Sequence, residues 1–133
     1  NNINLSNDAT DRTMTIAGTG NTVVSGTVAN GSTSTVSGLT KTGSGTLTLN
    51  GNNTYGGTTT LTAGTIEVGH NNALGTGTLV LNGGTLQGDG VARTLANNIV
   101  LDEDSTIGGT SALQFDGTFG NLTDDYRTIT INN

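Results

Sequence analysis

The stretch Thr58-Thr-Thr-Leu-Thr-Ala-Gly-Thr-Ile-Glu67 returns twenty residues later as Thr78-Leu-Val-Leu-Asn-Gly-Gly-Thr-Leu-Gln87. Leu61 falls on Leu81, Gly64 on Gly84, Thr65 on Thr85 and Ile66 on Leu86, without a gap. A fixed period of roughly 20 to 50 residues is the signature of a solenoid, in which each copy is one coil laid on the next. Within each copy an alternating run ends at Leu61 or Leu81. Ala63-Gly64 or Gly83-Gly84 then bends the chain before the next inward residue, which predicts corners at Gly64 and Gly84. Parallel coils stack equivalent positions about 4.8 Å apart. Leu47, Leu49, Leu61, Ile66, Val68, Leu79, Leu81 and Leu86 are therefore expected to line a narrow inward column, with the alternate threonines facing water. The prediction is an all-β chain folded as a parallel β-helix, or β-solenoid, with coils of about 20 residues.

Composition agrees with strands and turns. Thr, Asn and Gly make up half of the chain. Threonine suits a pleated surface through its branched Cβ, and Asn and Gly tolerate the positive φ of tight turns. Only 31% of the residues are hydrophobic and 3% aromatic, which excludes a wide core built on large anchors. Leu, Ile, Val and Phe together form under a quarter of the chain, close to the composition of disordered chains, so the narrow core of a solenoid is what makes folding feasible. With no cysteine, disulfides and thiolate metal sites are ruled out. A net charge of −6 with four basic residues argues against nucleic acid as a partner, since such binding draws its affinity from Lys and Arg. No apolar run approaches the roughly 20 residues of a membrane-spanning helix, so this segment is not expected to insert into a membrane. It begins at Asn1 with neither a basic nor an apolar leader, as expected of a segment whose signal peptide was removed or lies upstream.

A longer similarity links the ends. Asn1-Asn2-Ile3-Asn4-Leu5 recurs as Asn97-Asn98-Ile99-Val100-Leu101, and Arg12-Thr13-Met14-Thr15-Ile16 recurs as Arg127-Thr128-Ile129-Thr130-Ile131. The order is kept, and the two offsets differ by about one coil. Residues 1–133 are thus expected to form a single β-solenoid segment, part of a longer repeat array or a fibre subunit. The expected partners are neighbouring modules or other copies of the chain, meeting head to tail through Ile3, Leu5, Ile129 and Ile131. Residues 26–38 are the most linker-like stretch and read as a weak coil with Val28 and Val36 inward.

Little of the sequence suggests chemistry. His70 lies in a turn-like Gly-His-Asn-Asn run with no second histidine or cysteine to complete a metal site. Asp104 and Asp124 are 20 residues apart and would stack about 5 Å apart if the coil period held there, close enough to share a proton or a cation. Asp102-Glu103-Asp104 and Asp124-Asp125 equally suit exposed turns. Gly83 to Asp89 lacks the glycine spacing of a calcium-binding nonapeptide repeat. Gly18-Thr19-Gly20 and Gly43-Ser44-Gly45 lack the further glycine and lysine of a phosphate loop and read as turns. The Asn-x-Ser/Thr triplets at Asn4, Asn30, Asn52 and Asn121 follow from composition. Tyr55 is expected to cover the open flank of a coil with its hydroxyl in water. No catalytic residue, metal ligand or cofactor is predicted.

Residues 38–69 contain Leu39-Thr-Lys-Thr-Gly43, Asn53-Thr-Tyr-Gly-Gly-Thr-Thr59 and Ala63-Gly-Thr-Ile66. In these motifs the stretch resembles the β-strand repeat associated with bacterial autotransporter passengers, over about a quarter of the chain. The resemblance implies a right-handed β-helix, a hand that also follows the usual crossover preference. It further implies a secreted or surface-displayed bacterial protein, at the outer membrane or outside the cell, with a structural or adhesive role and a possible surface or carbohydrate ligand. The chain is accordingly expected to be a non-enzymatic rod or extracellular fibre. The competing expectation is a β-helical polysaccharide-degrading enzyme or carbohydrate-binding module.

Overall fold

The computed structural model describes residues 2–31, 36–120 and 126–132. Among them are fifteen short strands and no helix. The chain winds in coils. β1 (Ile3–Ser6), β2 (Thr13–Ile16) and β3 (Thr22–Val24) are followed by β4 (Val28–Gly31), β5 (Gly38–Lys41) and β6 (Thr46–Leu49). β7 (Thr59–Leu61) and β8 (Thr65–Val68) come next, and then β9 (Leu79–Asn82) and β10 (Thr85–Gly88). The last strands are β11 (Arg93–Leu95), β12 (Ile99–Glu103), β13 (Ser105–Gly108), β14 (Leu113–Phe115) and β15 (Ile129–Asn132). β2, β5, β7, β9 and β12 form a five-stranded face, and β3, β6, β8, β10, β13 and β15 a six-stranded one. Every strand pairing is parallel. β1 pairs with β4 and β11 with β14. Between those pairs, Thr54 N–H donates to Val28 O and Thr76 N–H to Tyr55 O, both at 2.9 Å. The fold is an all-β solenoid.

Alternation decides which side chains enter it. In β6 the sequence Thr-Leu-Thr-Leu buries Leu47 and Leu49 and leaves the threonines half-exposed. Leu47, Leu49, Leu61, Ile66, Val68, Leu79, Leu81 and Leu86 are all fully buried. They lie in register: Leu47 stands on Ile66 and Ile66 on Leu86, while Leu49 stands on Val68 and Leu61 on Leu81. Burying each such side chain stabilises the fold by about 1.5–3 kcal/mol, and the ladders satisfy the backbone between coils.

Coil length is not uniform. Ile3 stands on Val28, Thr13 on Gly38 and Thr22 on Leu47, each 25 residues apart. Leu39 stands on Thr59, Thr59 on Leu79 and Leu79 on Ile99, each 20 apart. The spacing widens again where Ser105 stands on Ile129. The corner between the five- and six-stranded faces also shrinks along the chain, from residues 17–21 to 42–45, 62–64, 83–84 and finally residue 104 alone. Gly64 and Gly84 occupy these corners with φ of +72° and +70°, which glycine adopts without strain.

The structure corrects two sequence expectations here. Tyr55 is fully buried, because its ring fills the wide end of the core where the coil carries no regular strand. Val28 is buried, but Val36 is 54% exposed, outside the alternation of β5. Thr59, two residues before inward Leu61 and one period before inward Leu79, is buried in the column between Leu39 and Leu79 as the alternation requires.

Candidate functional site

The stretch from Leu39 to Val68, about one and a half coils, concentrates the buried polar chemistry of the chain. Asn53 bridges its two neighbours: Val28 N–H donates to its Oδ1 at 2.7 Å, and its Nδ2 donates to Ala73 O at 2.5 Å. The Tyr55 hydroxyl lies 2.6 Å from Thr59 Oγ1, and Thr59 Oγ1 donates to Leu74 O at 3.0 Å. Burial pushes the Tyr55 hydroxyl well above its usual pKa, so it stays a neutral hydrogen-bonding group. Two coils later Asn97 plays a similar part, donating to Gly75 O at 3.1 Å and Gly77 O at 2.7 Å. Lys41 is 1% exposed, in an inward column between Ile16 and Leu61, and its Nζ donates to Gly43 O. The burial of Lys41 and Thr59 follows from the same 20-residue arithmetic, since Leu39-Thr40-Lys41 precedes Thr59-Thr60-Leu61 by one period. Reading Lys as a surface residue by type hides that signal.

The outer surface is regular and nearly uncharged on its strands. Thr46, Thr65, Thr85, Thr106 and Thr130 stand in register along the six-stranded face. Beside them Thr48 Oγ1 donates to Glu67 Oε1 at 3.2 Å and Gln87 Nε2 donates to Glu67 Oε2 at 2.8 Å. Ion pairs join Arg12 to Asp8 at 2.8 Å and Arg93, at the start of β11, to Asp89 at 2.7 Å.

At Asp104 the register is 24 residues and not 20. Asp104 adjoins Thr128, whose N–H donates to Asp104 Oδ1 at 2.7 Å, because the coil there spans 24 residues. Asp124 lies outside the described residues, as do Asp125 and Asn121. Arg127 holds the neighbouring turn, with Nε donating to Asp102 O at 2.5 Å and its guanidinium 3.8 Å from Glu103. His70 Nδ1 accepts the Asn72 N–H at 3.0 Å inside its turn. Among the described residues, no group of three His, Cys, Asp or Glu could hold a metal ion. No helix there is long and apolar enough to cross a membrane. Gly18-Thr19-Gly20 and Gly43-Ser44-Gly45 are stacked corners, joined by Gly45 N–H donating to Gly18 O at 3.3 Å.

The residues expected at the ends do not occupy equivalent places. Ile3 and Leu5 lie half-buried on β1, Ile129 is half-buried and Ile131 is 59% exposed on β15. Although Arg12–Ile16 and Arg127–Ile131 match in sequence, the first enters the five-stranded face through β2 and the second the six-stranded face through β15. An apolar pocket of about 100 Å³ opens beside β15 between Phe115, Phe119, Ile129 and Ile131. The two phenylalanine rings meet edge to face at 6.3 Å.

Column, corner glycines and inter-coil asparagine together define a repeat coil of a parallel β-solenoid. A family model described as the passenger-associated-transport-repeat matches residues 39–68, the stretch that carries Lys41, Asn53, Tyr55 and Thr59. No curated protein and no solved structure matches the chain.

Proposed function

We propose that this chain is a structural, non-enzymatic rod of a secreted or surface-displayed bacterial passenger, holding adhesive surfaces away from the cell. The observation that carries this is the passenger-associated repeat at residues 39–68, continued on both sides by coils in parallel register. A solenoid of this kind satisfies its backbone between coils and is stiff along its axis. The regular threonine and glutamine surface offers hydroxyl and amide groups to a carbohydrate or another surface. Partners at the ends are further coils, either of neighbouring modules or of other copies, because β1 pairs only with β4 and β15 only with β13 among the described residues. That docking draws on the exposed Ile131 and Phe119 beside the apolar pocket, and does not place the two matching terminal sequences in equivalent positions, since they lie on different faces.

Antibodies against the 39–68 stretch should stain intact producing bacteria, and brief external proteolysis should remove the stain. Staining seen only after lysis would overturn the surface assignment. The purified chain should bind bacterial or plant polysaccharides or host matrix without releasing reducing sugar. Specific sugar release that disappears when Asp102, Glu103 and Asp104 are neutralised would establish an enzyme instead.

A further inference from the structure

Lys41 is the only lysine of the chain, the other basic residues being Arg12, Arg93 and Arg127. A single lysine in a rod with ample surface would ordinarily face water, since an ammonium is costly to bury without a partner. Here it occupies a column whose other members are Ile16, Leu61, Leu81 and Leu101. The corner that follows it explains the position. Residues 42–45 form a wider corner than residues 62–64 stacked on it, so the upper corner has fewer N–H groups than the lower has carbonyls. Thr62 N–H and Ala63 N–H both donate to Lys41 O, and Thr65 N–H donates to Gly45 O. No backbone N–H of the described residues reaches Gly43 O, and the Lys41 ammonium supplies the missing donor from inside. Gly64 lies against the same group, where a Cβ would stand 2.9 Å from Nζ.

We propose that Lys41 is a conformational latch: withdrawal of its free ε-amine into the column closes the 42–45 corner beneath the next coil, and removes the chain's one ε-amine from amine-directed chemistry. The latch requires N–H donors on a long stem. The side chains stacked on it, Ile16 and Leu61, do not titrate, and no carboxylate pairs with it among the described residues. Burial lowers the pKa of Lys41 below the ordinary 10.5, so the folded chain binds fewer protons than the unfolded one as pH approaches that value. The Lys41 contribution should consequently make stability rise as pH approaches 10, above which the buried Tyr55 phenol, which stays protonated only in the folded chain, opposes it.

Acetic anhydride provides the test. It forms an N–C bond at Nζ, breaks the anhydride C–O bond and releases acetate and a proton. In the folded 133-residue chain, acetylation of Lys41 followed by mass spectrometry should be slower than in the denaturant-unfolded chain by at least about a hundredfold. The chain acetylated while unfolded should refold with a lower denaturation midpoint. Equal labelling rates in the two states, or an unchanged midpoint after acetylation, would overturn the latch. Lys41→Met keeps the stem without the donors; it should lower the midpoint and abolish the alkaline rise, and a variant that keeps both would also refute the proposal. If Lys41→Met does not fold, the labelling comparison on the unsubstituted chain decides alone.

Discussion

The N-terminal coils and the central coils solve the same stacking problem with different donors and acceptors. Where coils are 25 residues long, side chains bridge them: Asn2 Oδ1 accepts from Thr27 N–H, Asp11 Oδ1 from Val36 N–H and Asn21 Oδ1 from Thr46 N–H. Backbone bonds join those coils too, as Ile3 N–H to Thr27 O, but in the 20-residue coils they carry most of the task. There Leu39 N–H donates to Thr58 O, Thr59 N–H to Thr78 O and Leu79 N–H to Asn98 O, while Asn98 Oδ1 still accepts from Thr118 N–H. Extra residues at a corner break the equivalence of successive backbones. Short polar side chains then stand in for the missing carbonyls, as they do at turns generally. Asn53 sits at the change from one regime to the other, reaching back to Val28 and forward to Ala73. The abundance of Asn in this chain is thus partly a consequence of unequal coil lengths.

The comparison breaks most sharply in the central column. Leu81→Asp places an unpaired charge between Leu61 and Leu101 and should destabilise the fold by about 3–5 kcal/mol, whereas Thr60→Asp, on the outward side of β7, should cost under ~1 kcal/mol. Equal shifts in the urea midpoint for the two variants would show the column to be misassigned. Next in size is the junction. Asn53→Ala strands a buried N–H and a buried C=O and should cost about 1–3 kcal/mol. By contrast Asn21→Ala, which exposes only the accessible Thr46 N–H, should cost about 0.5–1 kcal/mol. If the exposed staple proved as costly as the buried one, burial would not be what separates the two regimes.

A smaller effect is expected from the acidic corner. Converting Asp102, Glu103 and Asp104 to Asn, Gln and Asn together should change stability by less than ~0.5 kcal/mol, because an amide oxygen at position 104 can still accept the Thr128 N–H. Loss of the cooperative circular dichroism transition in this variant would mean that the charges themselves hold the last coil. The smallest effect is confined to the first loop. Asp8 is lowered from 3.8 to about 2, chiefly by the Thr10 N–H and then by the Ser6 hydroxyl, with Arg12 contributing less. Its carboxylate is therefore more acidic in the folded chain, and the interaction should be complete above pH 3.8 and lost as pH falls towards 2. The Thr10 amide resonance should titrate within that window in the native protein and not in Asp8→Asn. A midpoint at 3.8 would leave the loop without this tether.

Alternation and period are properties of the sequence itself, and they determine much of the fold. Thr46-Leu-Thr-Leu49 and the pair Thr58–Glu67 and Thr78–Gln87 carry both strand facing and register, because one face of each strand must leave water and the 20-residue coils repeat without insertion. Sequence similarity also sufficed for the passenger repeat, whose motifs lie within one continuous stretch of about one and a half coils. Only the tertiary structure decided where the period lengthens, since Thr, Asn and Gly serve corners of any width and leave no local mark of the extra residues. That one unknown propagated: it set Asp104 beside Thr128, and it carried matching terminal sequences onto different faces. The interior position of Tyr55 was decided in the same way, whereas for Lys41 the period gives the inward position and the tertiary structure only its partner. Each side chain is met inside by a group on its own or a neighbouring coil, Gly43 O for the ammonium and Thr59 Oγ1 for the phenol, and such a match exists only once coils of unequal corner width are stacked.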